Sequence, residues 1–347
     1  MLSLKYATLR FSIMSSTVVV GGFFGDEGKG KIISYLAIKD NPSIAVRGGV
    51  GPNAGHSIEF NNKKYKVRML PSAFLNKETR LMIGPGVVIS PEVLLQEIEE
   101  FGVSDRTFVD FQCGIIEESH KTQDSQGRLK ELIGTTGSGT GPANADRALR
   151  KLKLAKEIDS LALYLDDVPH AINFALQQDE KVLVEGTQGT FLSLWHGTYP
   201  YVTSKDVTAS GICSDIGLGP KNVNEVIVVF KSYVTRVGTG LLKNELSPEQ
   251  TLAKGWQEVG TVTGRTRRAA QFDFDLAKRA VMLNSATQIA ITKLDMLFPE
   301  CEHMQSFGDL SSPAKHFIKS MEEQLKIPVT MIGTGPDVND IIDRRSQ

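Results

Sequence analysis

The sequence predicts an α/β fold: a mostly parallel central sheet flanked by helices, with long substrate-binding loops. Three observations carry this. Short apolar runs recur along the 347 residues and alternate with stretches of helical spacing. Several runs are apolar throughout, as expected where both sheet faces are covered. The first run leads directly into a glycine-rich turn and the start of a helix.

The predicted strands are 17–20, 44–47, 80–83, 107–111, 181–185, 225–231, 287–292 and 328–332. Between them, Ser90 caps a helix with Pro91 at its first position. Leu94, Ile98 and Phe101 share its inner face, and Gly102 stops it. Leu276, Ala280 and Leu283 mark a second helix, opening after Asp273 or Asp275. Ser312-Pro313 opens a third, with Phe317, Met321 and Leu325 as its buried stripe. The stretch 119–147, polar and then glycine-rich, is expected to be a functional loop, either ordered or mobile. No linker divides the chain, so 14–347 is expected to be one domain. Residues 1–13 precede Met14 as an appendage or an early-assigned start.

Composition excludes some classes of function. The net charge is −1, which gives no electrostatic reason to bind nucleic acid or an anionic membrane. No apolar run approaches the roughly 20 residues of a membrane span. Three widely spaced cysteines form neither a disulfide framework nor a zinc motif, which fits a reduced, cytoplasmic protein.

The segment 17–36 reads as strand, glycine turn and helix, the arrangement that aims backbone N–H groups at an anion. Gly28-Lys29 resembles the end of a phosphate-binding loop, which makes the fold P-loop-NTPase-like. The match to G-x-x-x-x-G-K-[ST] is imperfect: Phe23 takes the place of the first glycine and Gly30 that of the Ser/Thr. Asp26 and Glu27 also lie inside the loop, where two carboxylates repel phosphate unless a metal intervenes or one acts as a base.

Five further segments carry more glycine and polar residues than folding requires. Residues 47–57 follow a predicted strand and contain His56 among small residues. Residues 134–142 form a second candidate anion cradle, with Arg147 and Arg150 expected on one helical face beyond it. Residues 184–190 place Gln188 at the end of a strand. Residues 260–268 form a basic loop with three threonines, suited to a small anion. Residues 289–295 end in Thr-Lys-Leu-Asp, where a carboxylate can accept from guanine N1–H and its 2-amino group.

Together these segments resemble the adenylosuccinate synthetase family, in order, from about Ser16 to Asp343. The motifs are Gly25-Asp-Glu-Gly-Lys-Gly-Lys31, Asn53-Ala-Gly-His56, Gly134-Thr-Thr-Gly137, Gly141-Pro-Ala143 and Glu185-Gly-Thr-Gln-Gly189. They continue through 196–203, Thr263-Gly-Arg-Thr-Arg267, Thr292-Lys-Leu-Asp295 and Gly333-Thr-Gly-Pro-Asp337. The chain resembles the compact archaeal form. It departs from the common pattern at Phe23-Phe24, Val262, Thr266 and Leu241-Leu-Lys-Asn244.

The resemblance implies ligation of L-aspartate to IMP at the expense of GTP, through 6-phosphoryl-IMP. Asp26, His56 and Gln188 are the implied catalytic residues, and Asp26 with the Gly55 carbonyl would hold Mg²⁺. GTP is expected along Gly25, Glu27, Gly28, Lys29, Gly30 and Lys31, and at Gly55, His56, Ser57 and Arg267. Its guanine end would be Lys293, Leu294 and Asp295 with Gly333, Thr334 and Gly335. IMP is expected at Asp26, Lys29, Asn53, Ala54, His56 and Thr136, and at Arg150, Gln188, Thr203, Val237 and Arg265. Aspartate is expected on Thr261, Val262, Thr263, Gly264, Arg265 and Arg267. Arg150 is implied to reach the active site of a neighbouring subunit in a homodimer. Two rivals are a GTP-binding switch protein, which has no use for a base in its loop, and the phage relative acting on dGMP, which resembles a branch that has lost the loop aspartate.

Overall fold

The computed structural model describes residues 15–126, 133–260 and 264–345. The predicted appendage at 1–13 and the loop residues Thr261, Val262 and Thr263 lie outside them.

Ten strands form one sheet. In spatial order they are Ile341–Asp343, Val329–Gly333, Gln288–Thr292, Glu225–Lys231, Ser15–Gly21, Lys181–Glu185, Ile44–Arg47, Arg80–Ile83, Thr107–Asp110 and Leu165–Asp166. Every pairing is parallel except that of Val329–Gly333 with Ile341–Asp343. All eight predicted strands lie in this sheet. The two short edge strands were not predicted, being too brief to carry a pattern.

The continuous apolar runs reflect burial on both faces. Val18, Val20, Val182, Val184, Val226 and Val228 pack on one side with Ile172, Leu176, Ala280 and Ile318. Val19, Leu183, Ile227 and Val229 pack on the other with Ile32, Ile33, Leu36, Leu94 and Ile98. Successive strand residues point to opposite faces, so a two-sided core requires apolar residues at every position. Full burial of each such side chain is worth roughly 1.5–3 kcal/mol.

The predicted helices are present. Pro91–Phe101 runs from Ser90 to Gly102, whose φ of 61° closes it. Phe274–Asn284 is capped by Asp273, which accepts from the N–H groups of Asp275 and Leu276. Ser312–Leu325 is capped one residue earlier than expected, by Ser311, which accepts from Ala314 N–H. Its most buried stripe is Ala314, Ile318, Met321 and Leu325, with Phe317 only partly covered. The stretch 119–147 is more regular than its composition suggests: polar helix Glu118–Gln126 and helix Thr140–Ala148 occupy much of it. The second helix ends at Ala148 and Arg150 takes a φ of 62°, so Arg147 and Arg150 do not share a helical face. Among the described residues, no helix is long and apolar enough to cross a membrane.

Ser15–Gly21 sits between Lys181–Glu185 and Glu225–Lys231. The chain goes first to one side of this strand and later to the other, so its C-terminal end is a topological switch point. In open parallel sheets that is where ligands bind. The loops after Gly21, Arg47, Glu185, Lys231, Thr292 and Gly333 gather at this edge.

Candidate active site

The glycine turn after Gly21 folds around an acid of its own. Glu27 is buried, and its Oε1 accepts from Phe23 N–H at 3.0 Å and Gly25 N–H at 2.8 Å. Its Oε2 meets Lys29 Nζ at 2.9 Å. Lys29 also donates to the Gln188 carbonyl, which lays the 186–190 turn against the loop. Glu27 is therefore an internal anion that shapes the turn, and its side chain is turned away from an incoming phosphate. Phe23 occupies the first-glycine position because the residue there is core: its ring lies 4.8 Å from Phe230 and 5.3 Å from Phe272.

Gly28 caps helix Lys29–Asp40 at a φ of 83° with no side-chain cap, and the first turn holds no acid. The opening N–H groups of that helix are thus available to an anion. Gly30 explains the second departure. A Cβ at this position would stand 2.9 Å from His56 Cβ, leaving no room for the usual Ser or Thr.

Asp26 takes a φ of 61° at the tip of the turn, with its side chain a quarter exposed. Its Oδ2 lies 2.8 Å from Arg267 Nε, an ion pair whose angles are not those of a hydrogen bond.

His56 belongs to a buried polar cluster. Its Nδ1 contacts the Glu185 carboxylate and lies 3.0 Å from Ser72 Oγ. Glu185 also accepts from Ser72 N–H at 2.6 Å and from the Ser72 hydroxyl at 2.7 Å. Arg47 approaches Glu185 at 3.8 Å and donates to the carbonyls of Leu70 and Ala54 at 3.1 Å each, which pins the 52–56 turn. Burial lowers the His56 pKa and Glu185 pulls it upward. Burial opposes the Glu185 charge, but His56, Arg47 and Ser72 overcome it and hold the carboxyl below its usual range. With Nδ1–H held by Glu185, Nε2 carries a proton only when the ring is charged.

Several expected site residues keep buried polar atoms without a partner: Gln188 Oε1 and Nε2, Asn53 Oδ1 and Asp295 Oδ1. Buried polar groups are normally satisfied, so each of these is a candidate ligand contact. Asn53 Nδ2 reaches Thr203 Oγ at 3.4 Å. Arg265 donates to the carbonyls of Gly134 and Thr135 at 2.7 Å each, joining the basic loop to the 134–140 cradle, in which Thr136 is exposed and bonds Ser138. Val237 ends strand Val234–Val237, which pairs antiparallel with Arg267–Ala270. Arg150 is exposed and, among the described residues, its side chain donates to the Ala148 carbonyl at 2.6 Å.

The segments expected at the guanine end converge. Lys293 follows strand Gln288–Thr292 at a φ of 58°, and its carbonyl accepts from Ser232 Oγ at 2.6 Å. Burial raises the pKa of Asp295. Lys31 is buried and donates to the carbonyls of Gly335 at 2.6 Å and Asp340 at 2.8 Å, so it braces the 333–340 loop; burial lowers its pKa to about 8. Thr292 Oγ donates to the Glu27 carbonyl at 2.7 Å, tying the 292–295 segment to the glycine turn.

Sequence reasoning missed Glu258 and Lys231. Lys231 ends a predicted strand as a buried lysine, and a charge at the end of an apolar run was the available signal. Glu258 stands two residues before the basic loop and carried no motif.

The adenylosuccinate synthetase family model matches residues 18–158 and 152–300. The adenylosuccinate synthetase of Methanocaldococcus jannaschii is 54% identical over 339 residues, covering 96% of this chain and 98% of that protein. That of Methanosphaera stadtmanae is 52% identical over 338 residues, covering 96% and 99%. The fully ligated adenylosuccinate synthetase of Plasmodium falciparum superposes with a TM-score of 0.89 at 29% identity, covering 95% of this chain and 99% of that one. The succinoaminodeoxyadenylate synthetase of cyanophage S-2L shares the fold, with a TM-score of 0.80 at 24% identity over 95% of each chain.

Proposed function

The chain belongs to the adenylosuccinate synthetase family, and from that premise we propose how its residues join L-aspartate to IMP with GTP as the energy source. The 6-oxo group of IMP is a poor leaving group. Asp26 takes the N1 proton, O6 attacks the γ-phosphorus of GTP, and GDP departs. The aspartate amine then adds at C6 of 6-phosphoryl-IMP and expels phosphate, giving adenylosuccinate, the first committed product on the route from IMP to AMP. The observation that carries this reading is Asp26 itself: a carboxylate at the tip of a phosphate-type turn, beside Lys29 and against Arg267. A switch protein has no use for that acid, and the phage enzyme contributes only a shared fold.

The free N–H groups that open helix Lys29–Asp40 bind the GTP phosphates, joined by Lys29 once it exchanges Glu27 for phosphate, with Glu27 acting through its backbone. His56, oriented by Glu185, donates from Nε2 to the phosphates and stabilises the departing GDP, the incoming phosphate charge offsetting the burial that lowers its pKa. Ser57 and the Gly55 backbone border the same end. Lys293, Leu294 and Asp295 with 333–335 read guanine, and the unpartnered Asp295 oxygen supports this. Asn53, Ala54, Thr136, Gln188, Thr203, Val237 and Arg265 surround IMP. Arg265, Arg267, Gly264 and residues 261–263 take aspartate.

The Asp26 carboxylate and Gly55 carbonyl are hard oxygen donors, a set suited to Mg²⁺, and would hold the ion between them. When bound, the ion supplies charge neutralisation between the phosphates and Asp26. The reading takes 14–347 as one catalytic domain acting in the cytoplasm as a homodimer. The exposed Arg150, which meets nothing of its own chain's site among the described residues, would serve the partner's IMP phosphate.

A coupled assay for GDP release, with IMP, aspartate, GTP and Mg²⁺ omitted in turn, tests the reaction. Release is expected only with all four. GDP release that ignores IMP and aspartate would revive the switch reading.

A further inference from the structure

A buried charge cluster is centred on Glu258, a residue with no role assigned so far. Its side chain is 7% exposed and meets Lys231 Nζ at 3.0 Å, Lys293 Nζ at 2.6 Å, the Arg267 guanidinium and the Tyr233 hydroxyl. Two of these partners face ligand in the proposed site: Lys293 on the guanine side and Arg267 beside Asp26. Glu258 also closes the neck of the basic loop. Its carbonyl accepts from Arg267 N–H at 2.9 Å, and Gly260 N–H donates to the Arg265 carbonyl at 2.9 Å. The adjoining Trp256 stacks on Tyr233 with ring centroids 4.3 Å apart, and its indole N–H reaches the Met296 carbonyl at 3.1 Å. Residues 256–260 and 265–267 are therefore bound to each other and to 293–296.

We propose that Glu258 is a positioning residue that fixes the guanine-side lysine and the aspartate-side arginine through one buried carboxylate, so that the two substrates are held in register. This rests on the assignment of Lys293 to GTP and Arg267 to aspartate. A single acceptor shared by both cations makes the position of each depend on the other, because moving either leaves a buried carboxylate less satisfied. Lys231, buried, supplies the third cation and also donates to Thr235 Oγ at 2.5 Å. Glu258 touches no reacting group, so its effect passes through Lys293 and Arg267.

The test is a set of variants read by the KM of each substrate. Lys293→Met is expected to raise KM for GTP about tenfold and that for aspartate by a smaller factor, passed on through the shared carboxylate. Glu258→Gln is expected to raise both about tenfold while KM for IMP stays within about threefold. In the double variant, KM for GTP should rise little beyond that of Lys293→Met, because the two changes break one contact. Glu258→Asp keeps the charge on a shorter stem and should show the same split to a smaller extent, so it serves if the glutamine variant does not fold. Equal rises for all three substrates, a change in kcat alone, or full additivity in the double variant would overturn the proposal. An unchanged KM for GTP in Lys293→Met would instead contradict the guanine assignment, and the coupling with it.

Discussion

Asp26 Oδ2 and Arg267 Nε stand 2.8 Å apart, although a turn and a strand 241 residues apart in the chain (267 − 26) supply them. The pairing brings the residue assigned to the purine next to a residue assigned to aspartate. It also explains how an acid can sit in a turn built to attract anions: a guanidinium faces it from outside, while Lys29 is occupied by Glu27. The two acids of the loop thus have different partners and different tasks.

Gly30 is a steric requirement. A serine there, the residue that an ordinary phosphate loop carries, would press on His56 Cβ from 2.9 Å and on Ile58 from 3.2 Å. Gly30→Ser is therefore expected to lower kcat by about 10²-fold, as displacements near 1 Å do at a reacting centre. Steady-state kinetics beside a thermal melt would check this. A serine variant with near-normal kcat would show that His56 does not need its present position.

Asp295 should oppose folding while serving binding. Burial raises its pKa above the ordinary 3.8, so between those two values the folded state binds more protons than the unfolded. Stability from this group is present at low pH and is lost as pH rises through the raised pKa. Asp295→Asn is expected to raise Tm at pH 7 by roughly 1–3 °C, a gain that vanishes below the ordinary value. The same variant should raise KM for GTP about tenfold or more, because an amide cannot accept from both guanine donors. In the native protein, KM for GTP should rise on acidification, beginning above pH 3.8. Calorimetry and GTP titration at several pH values separate the two effects.

Arg150 gives a prediction about assembly. Arg150→Leu and Asp26→Asn should each be inactive alone. Mixed and allowed to exchange, half the dimers would be hybrid and one site in each would be whole, restoring about a quarter of native activity. No recovery, in a mixture shown by mass to contain hybrids, would remove Arg150 from the shared site.

Much of the sheet was legible because parallel strands buried on both faces must be apolar throughout, and Val18–Val20 or Ile289–Ile291 can be little else. The hairpin His56–Phe60 with Lys63–Val67 was not, since its outer strand reads Lys-Lys-Tyr-Lys-Val and exposes most of it. Strand Arg267–Ala270 was hidden in the same way by two arginines that earn their place through Asp26, Glu258 and Glu245. At the site, motif residues such as Asp26, His56 and Asp295 could be named in advance. Their supports could not: Ser72, Glu258 and Tyr233 are ordinary residues whose meaning lies in what the fold sets beside them. Arg150 was misplaced on a helix face because nothing in the residues 149–151 announces that the helix has already ended.

The central claim is that Asp26 removes the N1 proton of IMP, and Asp26→Asn tests it most directly. With IMP and GTP binding followed by calorimetry and turnover by GDP release, the account predicts a loss in kcat of about 10²–10⁴-fold. Tm and IMP affinity should stay close to native. An asparagine variant that binds both nucleotides and turns over within about tenfold of the native rate would contradict it.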